Sequence, residues 1–158
     1  MGVEEVEAFI KSNSIDAEVK VLEPESTRTS ALAAEALKCT VAEIAKSIVF
    51  FYTKKSEMLP VVVVLSGDKM VDEKKLTIFL GAEDIERMNA EEVKRETGYA
   101  IGGVPPFPHK KNVRILIDKS LFRFRRVWGA AGAPNAVMHI SPEILANKLH
   151  IEITDVSK

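Results

Sequence analysis

The sequence predicts an α/β protein: a mixed, mostly antiparallel sheet of about seven strands, curled or forming a partial barrel, with short helices packed around it. Three observations predict this. Runs of β-branched and aromatic residues alternate with short polar turns and with short capped helices, the pattern of a mixed layer structure. No repeat, linker or composition break divides the 158 residues, so 1–158 reads as one domain with enough chain for a sizeable core. Hydrophobic residues make up 46% and charged residues 28%, the balance of a soluble globular chain.

The elements follow in order. Val3, Val6, Phe9 and Ile10 recur at helical spacing, so 3–12 is an amphipathic helix. Residues 17–23, AEVKVLE, read as a strand, and 29–38, TSALAAEALK, as an Ala-rich helix. Thr40 with Glu43 forms a capping box that opens a further short helix, which runs into the strand SIVFFYT at 47–53. PVVVVLS at 60–66 is its hairpin partner across the short polar KKSEML. Asp72 caps a helix that Gly81 ends, and Asn89 with Glu92 caps another that Gly98 ends. NVRILID, 112–118, is a strand, and 125–140 holds two short strands around a small-residue turn. Ser141 and Pro142 start a last helix to 149, and IEITDV closes the chain as a strand.

Composition excludes several function classes. The formal net charge is −1, so nucleic-acid binding would need a local basic patch. The single cysteine, Cys39, permits no internal disulfide and reads as a small hydrophobe. The three histidines lie far apart and no Cys/His cluster has metal-ligand spacing, so neither a metal nor a cofactor is expected. The acidic, amphipathic start has no signal-peptide core, and the longest apolar run, LPVVVVL, is too short for a bilayer. The expected location is the cytoplasm, with no membrane partner.

Familiar nucleophile and phosphate-loop motifs are absent. Three features remain. Lys46, in AEIAKSIVFF, stands among uncharged residues where a short helix becomes a strand. Held against the sheet, its ammonium would stabilise a carbonyl oxygen or bind a phosphate; on spacing alone, an exposed lysine at a helix C-terminus is the simpler reading. In IGGVPPFPH, 101–109, Gly102 and Gly103 let backbone approach a ligand, while Val104, Pro105 and Phe107 belong to a stiff apolar segment. That pairing suits a pocket that measures a small group, and equally a rigid crossover between strands. The third feature, WGAAGAPN at 128–135, presents backbone without bulk, as an oxyanion site or as a tight hairpin.

Together these stretches resemble the YbaK/ProX-type aminoacyl-tRNA editing domains. The resemblance covers nearly the whole chain: AKSIVF, then VVVLSGDKMVDEKKLTIFLGA, EEVKRETGYAIGGVPPFPHKK, ILID, GAAGAP, ISPEIL and ITDV, in order and spacing. It implies a free-standing hydrolase that deacylates mischarged tRNA, with tRNA for proline carrying alanine or cysteine as the expected substrate. It also implies the acceptor end of aminoacyl-tRNA as partner and prolyl-tRNA synthetase as a second one. Lys46 matches the family's signature lysine, the expected catalytic residue. Gly102, Gly103, Val104, Pro105 and Phe107 match the loop that lines the aminoacyl pocket, and Gly129, Ala130, Gly132 and Asn135 the small-residue loop that faces it. The chain departs from the better-known bacterial branch, whose Ser-Gly-Gly is followed by charged residues. Here 129–137 carries no charge, and Asn135 is its only polar side chain. Oligomeric state, monomer or homodimer, stays open. So do two rival classes, a non-catalytic module that binds aminoacyl-tRNA, a nucleotide or a synthetase, and a small-molecule ester hydrolase.

A basic patch for tRNA is expected from FRFRRVW, 122–128, read as a strand with alternating faces. Arg123 and Arg125, with His109, Lys110 and Lys111 after the proline loop, would ring the pocket mouth and contact phosphates. The competing reading is an amphipathic segment with aromatics in the core and arginines in water.

Overall fold

The structure, a computed structural model, describes residues 1–107, 109 and 112–158. Helices α1 (Val3–Ser12), α2 (Ser30–Leu37), α3 (Glu73–Leu80), α4 (Ala90–Thr97) and α5 (Pro142–Asn147) surround eight strands. These are β1 (Ala17–Val21), β2 (Ile44–Lys54), β3 (Glu57–Ser66), β4 (Asp84–Arg87), β5 (Arg114–Asp118), β6 (Val127–Ala130), β7 (Ala136–Ile140) and β8 (Glu152–Thr154). They make one mixed sheet in the order β1-β7-β6-β2-β3-β5-β8, with β4 added alongside β2. The β2–β3, β2–β4, β1–β7 and β6–β7 pairs are antiparallel, and β2–β6, β3–β5 and β5–β8 parallel. The sheet does not close into a barrel: β1 and β8 are its two ends.

Local chemistry sets the helix ends as the sequence indicates. Thr29 accepts the Leu32 amide at 3.1 Å, Asp72 caps α3, and Asn89 and Glu92 cap each other's backbone at the start of α4. Gly81 and Gly98 end α3 and α4 in the left-handed conformation that a Cβ disfavours. Strand β2 starts earlier than expected, at Ile44, and the β2–β3 hairpin turns on Lys55 and Ser56 alone, both at positive φ. Two residues at positive φ match the right-handed twist of the flanking strands.

The period-two pattern of β2 and β3 splits the core. Ala45, Val49, Phe51, Val62 and Val64 face a core completed by Val6 of α1, Val93 of α4 and Leu145 of α5. Phe50, Tyr52, Val61, Val63 and Leu65 face a second core closed by Leu76 and Leu80 of α3. On that second face, at the near end of β2, Ile44 joins Trp128 and Val137 under Ala33 and Ala34 of α2. Lys46 and Ile48 lie on this face between the region covered by α2 and the region covered by α3.

Two expectations change. Strand β4 was not expected; its sequence, DIER, has one apolar residue and pairs only along an edge of β2. The expected strand over 122–128 begins only at Val127, because 119–123 form a 3₁₀ turn. The cause is Asp118, fully buried, whose carboxylate accepts the Ser120 amide at 3.0 Å and the Val156 amide at 2.9 Å and bends the chain.

Candidate functional site

Strand β2 carries a gap. Among the described residues, strand β6 pairs with it only at Ile44 and Ala45, and β4 only at residues 50–53 of β2, so 46–48 have no described strand neighbour on that edge. The bonding direction alternates along a strand. The Gly67 amide donates to the Ile44 carbonyl at 2.7 Å on the β3 side, while the Met88 amide donates to the Val49 carbonyl at 3.0 Å on the other. Ile44, Lys46 and Ile48 therefore spend their backbone groups on β3, and Ser47 directs its amide and carbonyl into the gap.

A half-open cleft of about 250 Å³ occupies this place. Lys46, Ser47 and Ile48 of β2 form one side, Trp128, Gly129 and Ala130 of β6 another, and Arg28, Thr29, Ser30 and Ala33 around the start of α2 a third. Ile101 and Gly102 close it with Pro134, and Arg87 reaches it from β4. Among the described residues, three cations, Arg28, Lys46 and Arg87, line the cleft and no carboxylate does. The Lys46 ammonium donates a long hydrogen bond, 3.5 Å, to the carbonyl of Gly67. Gly67 cannot be larger, since a Cβ there would meet the Val41 carbonyl oxygen at 2.5 Å. Burial, and then the nearby Arg87 guanidinium, push the Lys46 ammonium below the ordinary lysine range, and Asp68 opposes them. Asp68 is itself neutralised by a two-pronged pair with Arg123, at 2.8 and 3.1 Å. Lys46 thus presents a partly desolvated charge with no carboxylate bound to it, the condition for acting on a developing oxyanion. Among the described residues, no group of three or more His, Cys, Asp or Glu residues is placed to hold a metal ion.

The model of the aminoacyl-tRNA editing domain matches residues 24–148. The chain belongs to the aminoacyl-tRNA editing domain family. A relative in Bacillus subtilis (strain 168), the uncharacterized protein YwhH, is 32% identical over 77% of this chain and 74% of its own length. The proline–tRNA ligase of Limosilactobacillus fermentum is 34% identical over 56% of this chain, but that match spans only 16% of the ligase. A crystal structure described as a candidate trans-editing enzyme for prolyl tRNA synthetase superposes with a TM-score of 0.86 at 29% identity, covering 99% of this chain and 96% of that one.

Within this editing domain, the expected site residues separate into two groups. Lys46, Gly102, Gly129 and Ala130 meet in the cleft. Val104, Pro105 and Phe107 do not line it: Val104 and Phe107 are 2% and 4% exposed in the core, Pro105 is buried, and Phe107 stacks on Phe9 of α1 at 4.8 Å. The proline segment is stiff because it is packed, with its apolar side turned inward. Gly103 faces Ala133, whose carbonyl carbon a Cβ would meet at 2.7 Å, and Gly132 faces Gly2, whose carbonyl oxygen a Cβ would meet at 2.6 Å. Both are small for packing between loops. Their amides are committed too, Gly103 to Ala100 at 2.9 Å and Gly132 to Gly103 at 3.0 Å. Asn135 ties down the end of β1, donating from its side chain to the Leu22 carbonyl at 2.9 Å.

The expected basic patch is not assembled at the cleft by the described residues. Arg123 is held by Asp68. Arg125 lies by a separate depression with Phe122, Phe124 and Glu143. His109 is half-buried, its Nε2 2.7 Å from the Pro105 carbonyl and its ring edge-on to Tyr99, and burial lowers its basicity. Lys110 and Lys111 lie outside the described residues. The cleft residues that sequence reasoning missed are Arg28, Ser47 and Arg87. Only Ser47 carried a signal, its place next to Lys46; Arg28 and Arg87 reach the cleft through tertiary folding.

Proposed function

We propose that this protein is an aminoacyl-tRNA deacylase acting in trans on tRNA for proline that carries a small wrong amino acid, alanine or cysteine. The observation that carries this reading is the placement of Lys46 beside the gap in β2, in one cleft with Gly102, where the charged side chains among the described lining residues are all cations. The near-complete mutual coverage with the candidate trans-editing enzyme supports action in trans. At about 250 Å³ the cleft is smaller than the ~300–1,000 Å³ of drug-sized sites and suits an amino acid with its ester.

In this reading, water adds to the ester carbonyl. The oxyanion is stabilised by Lys46 and by the backbone donors left free at the cleft, the Ser47 amide in the gap and the Gly102 amide, which makes no hydrogen bond among the described residues. The carbon–oxygen bond to the ribose then breaks, the ribose oxygen takes a proton, and amino acid and tRNA separate. Gly102 holds φ +86°, which exposes its amide without a Cβ over the ester. Size selection falls to Ala33 and Ile48, apolar residues that line the cleft with Lys46, and a pocket alone separates one methylene by only ~1–3 kcal/mol.

The test is turnover. With tRNA for proline charged with alanine in large molar excess over the protein, many equivalents of alanine per protein are released. Retention of intact Ala-tRNA in stoichiometric complex, without release, contradicts hydrolysis and identifies a binding module.

A further inference from the structure

The described arginines divide sharply. Arg95, Arg114, Arg123 and Arg126 each pair with a carboxylate. Arg28, Arg87 and Arg125 have no ion pair among the described residues, and two of these three line the one cleft that holds Lys46. They come from opposite sides: Arg28 from the turn before α2, Arg87 from the last residue of β4. Arg87 stands opposite Phe50 in the β2–β4 register, which places it on the same sheet face as Lys46 and Ile48. Its proximity already acts on the Lys46 charge. Placing like charges together without a counter-ion is unfavourable in the free protein, and an anion bound between them relieves it. The ester carbonyl needs one cation, and Lys46 supplies it. Two guanidiniums remain at the cleft rim, and a planar guanidinium fits a phosphate oxygen pair by two parallel hydrogen bonds.

We propose that Arg28 and Arg87 form a phosphodiester clamp that grips the last internucleotide phosphates of an RNA 3′ end and so sets the terminal ribose, with its ester, against Lys46. This rests on the deacylase reading for the identity of the RNA and extends it by assigning the phosphate contacts to residues outside the Gly-rich loops. The hydroxyls of Thr29 and Ser30 line the cleft next to Arg28 and add neutral donors to the same anion.

The experiment uses the full chain and the trinucleotide CCA without an amino acid, the sequence of a tRNA 3′ end, in two forms: with ordinary anionic phosphodiester links and with neutral methylphosphonate links. Dissociation constants are measured by fluorescence anisotropy for the wild type, Arg28→Ala, Arg87→Ala and the double variant. The wild type binds the phosphodiester form at least about ten-fold more tightly than the neutral form, the scale of a charge-assisted contact. In each single variant that ratio shrinks, and in the double variant it approaches one. Equal wild-type binding of the two forms, binding of neither, or a ratio that survives in the double variant overturns the clamp. None of these readouts requires hydrolysis, so an inactive protein that still shows the ratio contradicts the deacylase reading and leaves the clamp standing.

Discussion

The amide of Gly132 donates to the carbonyl of Gly103 at 3.0 Å, joining the loop that holds Gly102 and Gly103 to the small-residue turn that holds Gly132 and Pro134. The loops approach this closely because Gly103 has no Cβ, which would meet the Ala133 backbone at 2.7 Å; a Cβ on Gly132 would meet the Gly2 carbonyl at 2.6 Å, against the N-terminus. Gly132 also sits at φ +102°. These loops position Gly102 and Pro134 in the cleft wall, so packing between the loops fixes that part of the cleft.

Gly103→Ala and Gly132→Ala are therefore expected to destabilise the fold by ~1–3 kcal/mol, the usual cost of overpacking against backbone. Gly132→Ala carries the additional strain of a left-handed residue. Gly102→Ala, whose Cβ would meet only the Pro134 Cβ at 3.8 Å, keeps its surroundings clear but suffers at φ +86°. Urea denaturation of the three variants checks the order. Stability unchanged in Gly103→Ala means the loops are not in contact as described.

The role proposed for Lys46 predicts a pH dependence. Its ammonium is held below the ordinary lysine range by burial and by Arg87. A cation that stabilises an oxyanion works while protonated, so enzymatic turnover is full at lower pH and falls as pH rises through the lowered Lys46 pKa, earlier than an ordinary lysine would allow. Arg87→Gln removes one depressing influence, and the Lys46 titration, followed by the ¹³Cε resonance, then moves upward. A downward move, or none, shows that the two cations do not share the cleft.

Acid stability is governed differently. Burial lowers the pKa of His109 below its ordinary 6.5. The unfolded chain then binds more protons than the folded one, so His109 costs no stability above about pH 6.5 and destabilises progressively as pH falls from there toward its folded pKa. His109→Gln, which keeps a donor for the Pro105 carbonyl, is expected to flatten the loss of melting temperature between neutral and mildly acidic pH. An unchanged slope places the acid sensitivity elsewhere.

Much of the fold was legible because its signals are local. Asp72, Asn89 with Glu92, Gly81 and Gly98 mark helix ends by chemistry within a few residues. The β-branched runs of β2 and β3 do the same for the central hairpin. The 3₁₀ turn at 119–123 was not legible, since its cause is the Asp118 carboxylate holding the distant Val156 amide. In the site, Lys46 and Gly102 stood out by neighbourhood. Val104 and Phe107 are stiff and apolar as expected, but composition does not say which way a stiff segment faces, and here it faces the core. Arg28 and Arg87 had no sequence mark, because a charge at a cleft differs from a charge in water only through what folding brings beside it.

The central claim is that Lys46 in this cleft hydrolyses the ester of wrongly charged tRNA and spares the right one. The most direct measurement is the rate of amino-acid release from tRNA for proline charged with alanine, cysteine or proline, by wild type and by Lys46→Ala. Rapid release of alanine or cysteine, slow release of proline, and a loss of roughly 10²–10³-fold in Lys46→Ala with an unchanged melting temperature are expected. Release at equal rates from all three substrates, or near-normal release by folded Lys46→Ala, contradicts it.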